Sequence, residues 1–472
     1  MTRCLAALNP PRRARAVAAA LLLGLVAPAH GSAGEQLSAA ASQAAADTLA
    51  MLTGDDADLR RVALDRIRHG LRGEHFTAAV ADMLPRLADP EQRAVLLALA
   101  DRGDRAAVAA ATAVAAPSTN DGVRAAAVAV VGRLGAADDV GTLVTSLAAD
   151  GATRDAARRG LVEIAGPGVA AAIRSAAATA PAAVRPAVID ALAERRDWRA
   201  VPLLVEAAVA PEPGVREAAM RALAVFGGAA EIPTMVASLL KAAGDERVAA
   251  ERALVTVCTT GREAGAATDG FVAAYAAADA ATRRTILPVL ARVGGPKVMT
   301  IVDAMLADPA TRSQGLDALS KWPDATVKDR LLALLGDTSD PKEKELVLGT
   351  LIRIAPLPDN KLNDGQKLEL LQKTMGLCQR TEDKARVLER ANAIRTIETF
   401  RFVTAYLDDP ALAEPACRSV VELAHHQKLR DAHKQEFLAA LDKVLGLTKN
   451  DELRERATRY KAGQTWDRKK KG

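Results

Sequence analysis

The residues with the most chemistry to offer lie near the C-terminal end of this sequence. Glu422, His425, His426 and His433 gather three of the chain's 6 histidines into one short stretch. Glu422 and His425 share a face of the helix predicted there, at the spacing of half a two-helix metal site. The matching Glu-x-x-His on another helix does not occur. His426 and His433 stand two turns apart on that same predicted helix, ~10.5 Å along its axis, too far to share one ion. A solvated helical face is the better reading, and no metal ligand is assigned.

Nucleophiles and phosphate loops are equally poorly provided. Three cysteines lie beyond the N-terminal region, Cys258, Cys378 and Cys417, with no C-x-x-C among them. Their odd number excludes a fully paired intramolecular set, leaves a Cys378–Cys417 disulfide open, and makes Cys258 a buried helical residue. Neither G-x-S-x-G nor H-E-x-x-H occurs. Gly294-Gly295-Pro296-Lys297 lacks the spacing of a phosphate loop, and its proline removes a donor N–H. Asn360 to Gly365 is faintly like a calcium loop, but Leu362 and Leu371 stand where oxygen ligands belong, so a helix-initiating turn is expected. No catalytic, cofactor-binding or metal residue is therefore assigned, and the expectation is a protein that is not an enzyme and uses no cofactor.

The charged residue that recurs with order is arginine. Arg124, Arg154, Arg185, Arg216 and Arg247 lie 30, 31, 31 and 31 residues apart, each followed seven residues later by an aliphatic: Val131, Leu161, Leu192, Leu223 and Leu254. The offset persists in Arg283 with Leu290, Arg312 with Leu319, and Lys344 with Leu351, and degenerate positions fall near Arg60 and Gln92. Such a ladder could line a binding groove. The structural reading is preferred, in which Arg and Asp side chains tie successive units together, because exposed recurring pairs seldom signal chemistry.

A period near 31 implies stacked supersecondary units, and one unit shows how they form. Val215, Ala218, Ala219, Ala222, Leu223 and Phe226 make an apolar stripe along a first helix. Gly227-Gly228 supplies the stop and Pro233 suits the first turn of a second helix, whose buried side is Met235, Val236, Leu239 and Leu240. The 36-residue interval before Arg283 predicts a longer connection around 259–268. Trp198 and Trp322, near second-helix starts, are read as packing residues.

The organisation that follows is a signal peptide over 1–31, a capping helix over 34–54, a repeat array over 55–355, an irregular linker and helix over 356–380, further repeats with a capping helix over 381–460, and a basic tail over 461–472. The capping helix is expected to bury Leu37, Ala40, Ala41, Ala44, Ala45, Leu49 and Leu52. Leading arginines, the apolar run Ala16–Ala29 and the small residues after it have the form of an export signal, cut after Gly31 or Ala33. A periplasmic or secreted location is expected, with no stable membrane span after cleavage. The first 31 residues hold Arg3, Arg12, Arg13 and Arg15, so 63 − 4 = 59 basic residues face 58 acidic ones beyond them. That balance gives no case for nucleic-acid binding.

The phrase x-Val-Arg-x-x-Ala-x-x-x-Leu, a glycine stop, a second apolar helix and then Asp-Pro, as at Asp89-Pro90, Asp308-Pro309, Asp340-Pro341 and Asp409-Pro410, resembles the HEAT repeat. The similarity is to the short bacterial, PBS-lyase-type HEAT-like variety, and it spans roughly residues 55–447. The segment from Lys384 to Pro410 resembles one common in exported bacterial HEAT-repeat proteins, with Ala391 where an aliphatic residue is usual. The resemblance implies an all-α, right-handed α-solenoid of stacked helical hairpins used as a scaffold for a protein partner. Second helices near 200–210, 232–242 and 298–307 are expected on its concave surface, with no individual contact residue assigned. Two alternatives stay open: a lyase-type enzyme or enzyme accessory subunit, and a nucleic-acid-binding HEAT-like protein. The iron-binding HEAT hydroxylases carry His-Glu pairs absent here.

Overall fold

The computed structural model describes residues 33–71, 73–358 and 361–466. The export signal expected over 1–31 and the basic residues Arg468 to Lys471 lie outside the described residues. Among the described residues there are 27 α-helices, five short 3-10 turns and no strand, an all-α solenoid of helical repeats. The chain divides after Ala180 into two compact units.

In the first unit, helix Ala33–Thr53 packs against Ala57–His69 and Glu74–Ala81. Ala41, Ala44, Ala45, Leu49 and Leu52 are buried on its inner face, whereas Leu37 is 62% exposed and Ala40 is also exposed. The stripe expected to begin at Leu37 therefore starts one turn later, where the neighbouring helices begin to cover it. Successive first helices, Ala57–His69, Asp89–Arg102, Asp121–Leu134 and Gly151–Glu163, pack on one another. The last two meet backbone to backbone: a Cβ on Gly132 would stand 2.4 Å from the Cα of Gly160. Only a residue without a side chain permits that approach.

In the second unit the same layering runs through first helices Arg185–Glu194, Pro213–Phe226, Gly244–Thr259, Ala280–Val293, Arg312–Ser320 and Pro341–Ile354. The long interval before Arg283 is taken up differently from expectation. Helices Gly244–Thr259 and Ala264–Ala277 have 16 and 14 residues, and the connection between them is short. Alanine-rich sequence extends a helix more readily than it makes a loop. Beyond Pro356, Asn363 and Gln366 form the expected capping box: Gln366 N donates to Asn363 Oδ1 at 2.9 Å and Asn363 N to Gln366 Oε1 at 3.0 Å. Helix Asp364–Leu377 follows directly, as expected for a helix-initiating turn. Toward the C-terminus, Phe400 and Phe437 stack with centroids 3.9 Å apart, tying Ile397–Thr404 to Lys434–Leu447. All three cysteines are buried and free, so Cys378 and Cys417 do not pair.

The recurring arginines turn inward to structure. In four of them the guanidinium donates to the carbonyl six residues upstream, in or just past the preceding helix: Arg60 to Gly54 O at 2.6 Å, Arg124 to Ser118 O at 3.0 Å, Arg216 to Ala210 O at 2.9 Å and Arg312 to Leu306 O at 3.2 Å. Where the carbonyl belongs to the helix itself, as at Leu306, it lacks an intrahelical donor and sits at the negative dipole end, so a cation satisfies both needs. Gln92 does the same work without the charge, donating to Leu84 O at 3.0 Å. The ladder also links repeats, since Arg216 holds Glu246 through two hydrogen bonds of 2.7 and 2.8 Å, and Arg312 holds Glu343. Aspartates of the Asp-Pro turns accept from the N–H two residues on, at 2.9 Å for Asp308 and Asp409 and 2.8 Å for Asp340.

Candidate protein-interaction surface

The connection after helix Arg185–Glu194 is built to turn one aromatic side chain outward. Arg196 takes a left-handed backbone, φ 55°, and Asp197 accepts from Arg199 N at 3.2 Å to set a 3-10 turn over Trp198–Ala200. Helix Val201–Ala207 follows, with Pro202 in its first turn, where a missing N–H is harmless. Trp198 is left 65% exposed, with the Arg199 guanidinium 5.5 Å from its ring centroid. The sequence reading placed Trp198 in packing, and that is corrected here. It holds for Trp322, which is 2% exposed and donates Nε1–H to Thr326 Oγ1 at 3.2 Å.

The next repeat supplies the opposite wall. Helix Pro213–Phe226 ends at Gly227, and Glu231 accepts from Gly228 N at 2.7 Å to fold the chain into Ile232–Lys241. A Cβ on Gly228 would lie 2.8 Å from Glu263 Oε2, so the glycine lets the neighbouring repeat close over the turn. Val225 stays 57% exposed at the helix end. Between the two turns lies a groove of about 720 Å³, floored by Val201, Pro202 and Phe226 and flanked by Trp198 and Val225. Its rim charges are unequal. Glu263 is paired with Arg262 at 3.1 Å and Glu231 caps the turn, whereas Arg199 meets no carboxylate in an ion pair among the described residues. An apolar slot with one uncompensated guanidinium beside its indole results.

The histidines are dispersed rather than lined up. Helix Ala413–Ala424 stops before His425, His426 precedes the short helix Gln427–Ala432, and His433 separates that from Lys434–Leu447. One helical face carrying all three is thus overturned. The cause is local: Arg430 donates to Ala424 O at 2.9 Å and so takes the place of the N–H that would continue the helix. His425 Nδ1 lies 2.9 Å from the Tyr460 hydroxyl, and Glu422 accepts from Arg456 at 2.6 Å. That guanidinium holds the Glu422 carboxyl below the usual glutamate range, and burial lowers His426. Arg430, Tyr460, Arg456 and Trp466 form an alternating cation–aromatic stack, with cation-to-centroid distances of 5.4, 5.9 and 5.0 Å. Among the described residues no group of three or more His, Cys, Asp or Glu could hold a metal ion. Burial pushes the thiols of Cys258, Cys378 and Cys417 up to about 11, which disfavours the thiolate a nucleophile requires.

Residues 169–255 match the family model for HEAT repeats. That segment carries HEAT repeats. Among solved structures the chain is similar to the karyopherin Kap121p bound to Nup53p, with a TM-score of 0.47 and 14% identity over 92% of this chain and 53% of that one. It is also similar to Kap121p bound to the extreme C-terminus of the protein phosphatase Cdc14p, with a TM-score of 0.47 and 14% identity over 95% of this chain and 55% of that one. The chain thus spans about half the length of those structures. No curated protein matches the sequence. Most of the groove at Trp198 lies within the HEAT-matched segment, with Arg262 and Glu263 beyond it, and its residues Val225 and Arg199 were missed by sequence reading. Local sequence held no signal, since the buried Trp322 also follows a charged residue, Lys321.

Proposed function

We propose that this HEAT-like protein is an exported, non-catalytic scaffold that holds a protein partner in the groove between Trp198 and Val225. The observation that carries the reading is the exposed tryptophan facing an exposed valine across an apolar slot. Aromatic anchors dominate the energetics of protein interfaces, and a large exposed indole is otherwise an aggregation liability. The uncompensated Arg199 beside the indole favours a partner segment with an acidic residue next to an apolar one, and that charge would set the segment's orientation.

A photocrosslinking amino acid at position 198 of the full chain, expressed in its own cells, tests the site. A discrete protein adduct is expected, and Val225→Asp should abolish it with the fold intact. No adduct at 198, or an equal adduct in the Val225→Asp background, would overturn the assignment. Export has its own test. N-terminal sequencing of material released from the cell envelope should begin at Ser32 or Gly34, and an intact Met1 would reject it. Among the described residues no helix is long and apolar enough to cross a membrane.

A further inference from the structure

A second cleft of different character lies several repeats further along, where first helices Arg312–Ser320, Pro341–Ile354 and Thr381–Ala391 adjoin. It has a volume of about 460 Å³. Lys342 and Arg353 lie on one helix, ~16 Å apart along its axis, with Lys321 and Arg386 contributed from either side. Four cations thus border one depression. The carboxylate in its lining, Glu345, is already committed to Arg380 at 2.8 Å.

The cations are poorly compensated. Lys321 and Lys342 meet no carboxylate in an ion pair among the described residues. Arg353 spends one amino group on Trp322 O at 2.6 Å, while its Nε is buried with no hydrogen-bond partner. Arg386 reaches Asp383 at 3.5 Å. Burial, followed by repulsion from Arg390, holds the Arg353 guanidinium below the usual arginine range. A buried, unpaired donor of this kind is unfavourable unless something accepts from it. The Arg386 guanidinium lies against the neighbouring helix, because Gly349 has no side chain to hold it off: a Cβ there would stand 3.2 Å from Arg386 Nη2.

We propose that this cleft binds a soluble phosphoryl ligand, held by Lys321, Arg353 and the Arg386 guanidinium that rests on Gly349. Cations approaching from separate helices suit a tetrahedral, doubly charged group, which offers three acceptor oxygens, better than a planar, singly charged carboxylate. The site is distinct from the Trp198 groove and does not rest on the scaffold reading.

Calorimetric titration of the full chain with inorganic pyrophosphate tests it, at ionic strength fixed with sodium chloride. Saturable binding is expected, weakened at least tenfold in a Lys321→Gln/Arg386→Gln variant. Both replaced side chains are exposed, so the thermal unfolding midpoint should be preserved. Gly349→Leu keeps every charge but pushes the Arg386 guanidinium off the helix, and it should weaken binding comparably. Absence of saturable binding would overturn the proposal, as would unchanged affinity in either variant. Citrate binding as tightly as pyrophosphate would also overturn it, because the cleft would then be a general counter-ion sink.

Discussion

Two arginine–glutamate pairs in the second unit have nearly the same geometry and opposite surroundings. Arg216 meets Glu246 at 2.7 and 2.8 Å, and Arg401 meets Glu436 at 2.9 Å through each of two nitrogens. Each spans roughly one repeat. Their side chains are 8% and 12% exposed in the first pair but 57% and 41% exposed in the second. A distance list would rank them as equals. Burial separates them, because water screens the outer pair and competes for its hydrogen bonds, while the inner pair has no solvent to fall back on. The inner arginine also serves the carbonyls of Ala210 and Pro211, so its loss strands three acceptor groups together. Arginine–glutamate pairs between repeats thus come in two grades of importance, set by depth.

The largest effect is expected at the inner pair. Arg216→Ala should destabilise the second unit by about 3–5 kcal/mol, since it leaves Glu246 buried without its partner. Urea unfolding followed by circular dichroism measures this. The Arg216→Met/Glu246→Met double variant should lose less than Arg216→Ala, and a double variant that loses more would show that depth is not the controlling quantity. In the first unit, the Gly132–Gly160 contact tests depth without charge. Gly132→Ala should cost about 1–3 kcal/mol through overpacking, despite alanine's better helix propensity. A stabilised variant would mean that the two helices separate at little expense.

An intermediate case sharpens the gradient. Arg312 and Glu343 are 30% and 20% exposed, and the Arg312 guanidinium, followed by the Thr338 hydroxyl, holds the Glu343 carboxyl below its ordinary value of 4.5. A carboxyl depressed in the folded state contributes stability that is present above its unfolded pKa and is lost as pH falls through the folded one. Acid should therefore weaken the native chain below about pH 4.5 partly through this residue. In Glu343→Gln that part of the loss disappears, so the difference in unfolding midpoint between variant and native chain should shrink as pH is lowered. A difference independent of pH would remove Glu343 from the acid response.

The periodic parts of this architecture were legible because their causes are local. An arginine bonded to the carbonyl six residues upstream, a glycine stop and an Asp-Pro turn each act within their own few residues, and even Gln92 could be placed in register by spacing alone. What escaped depended on neighbours distant in sequence. Trp198 and Trp322 both follow first helices, yet Trp322 is buried against the previous repeat, where a Cβ on Gly294 would lie 3.4 Å from its ring. Trp198 instead follows a left-handed Arg196 and faces outward. The break at His425 is a local exception: Arg430 takes over the Ala424 carbonyl six residues upstream, with neither proline nor glycine to announce it. The candidate groove, whose two walls come from turns in successive repeats, was invisible for the reason that hid the exposure of Trp198.

The smallest effect should come from the outer pair, and it is the sharpest test of the comparison. Arg401 is raised above the usual arginine range by Glu436, and Glu436 is lowered in turn, so each charge senses the other. Sensing a partner is not the same as stabilising the fold. Both side chains give up rotamer freedom to hold the bidentate geometry, and solvent reaches them on the open side. Arg401→Ala should therefore leave the unfolding midpoint unresolved from that of the native chain, at low salt and at high salt alike. Phe400, the residue before Arg401, is 2% exposed and stacks on Phe437, the residue after Glu436. That contact, rather than the ion pair above it, holds the two helices together, so Phe400→Ala should cost about 3–5 kcal/mol where Arg401→Ala costs nothing measurable. Equal losses at the two adjacent positions would show that the exposed pair carries structural weight after all, and that exposure fails as the ranking variable for these cross-repeat pairs.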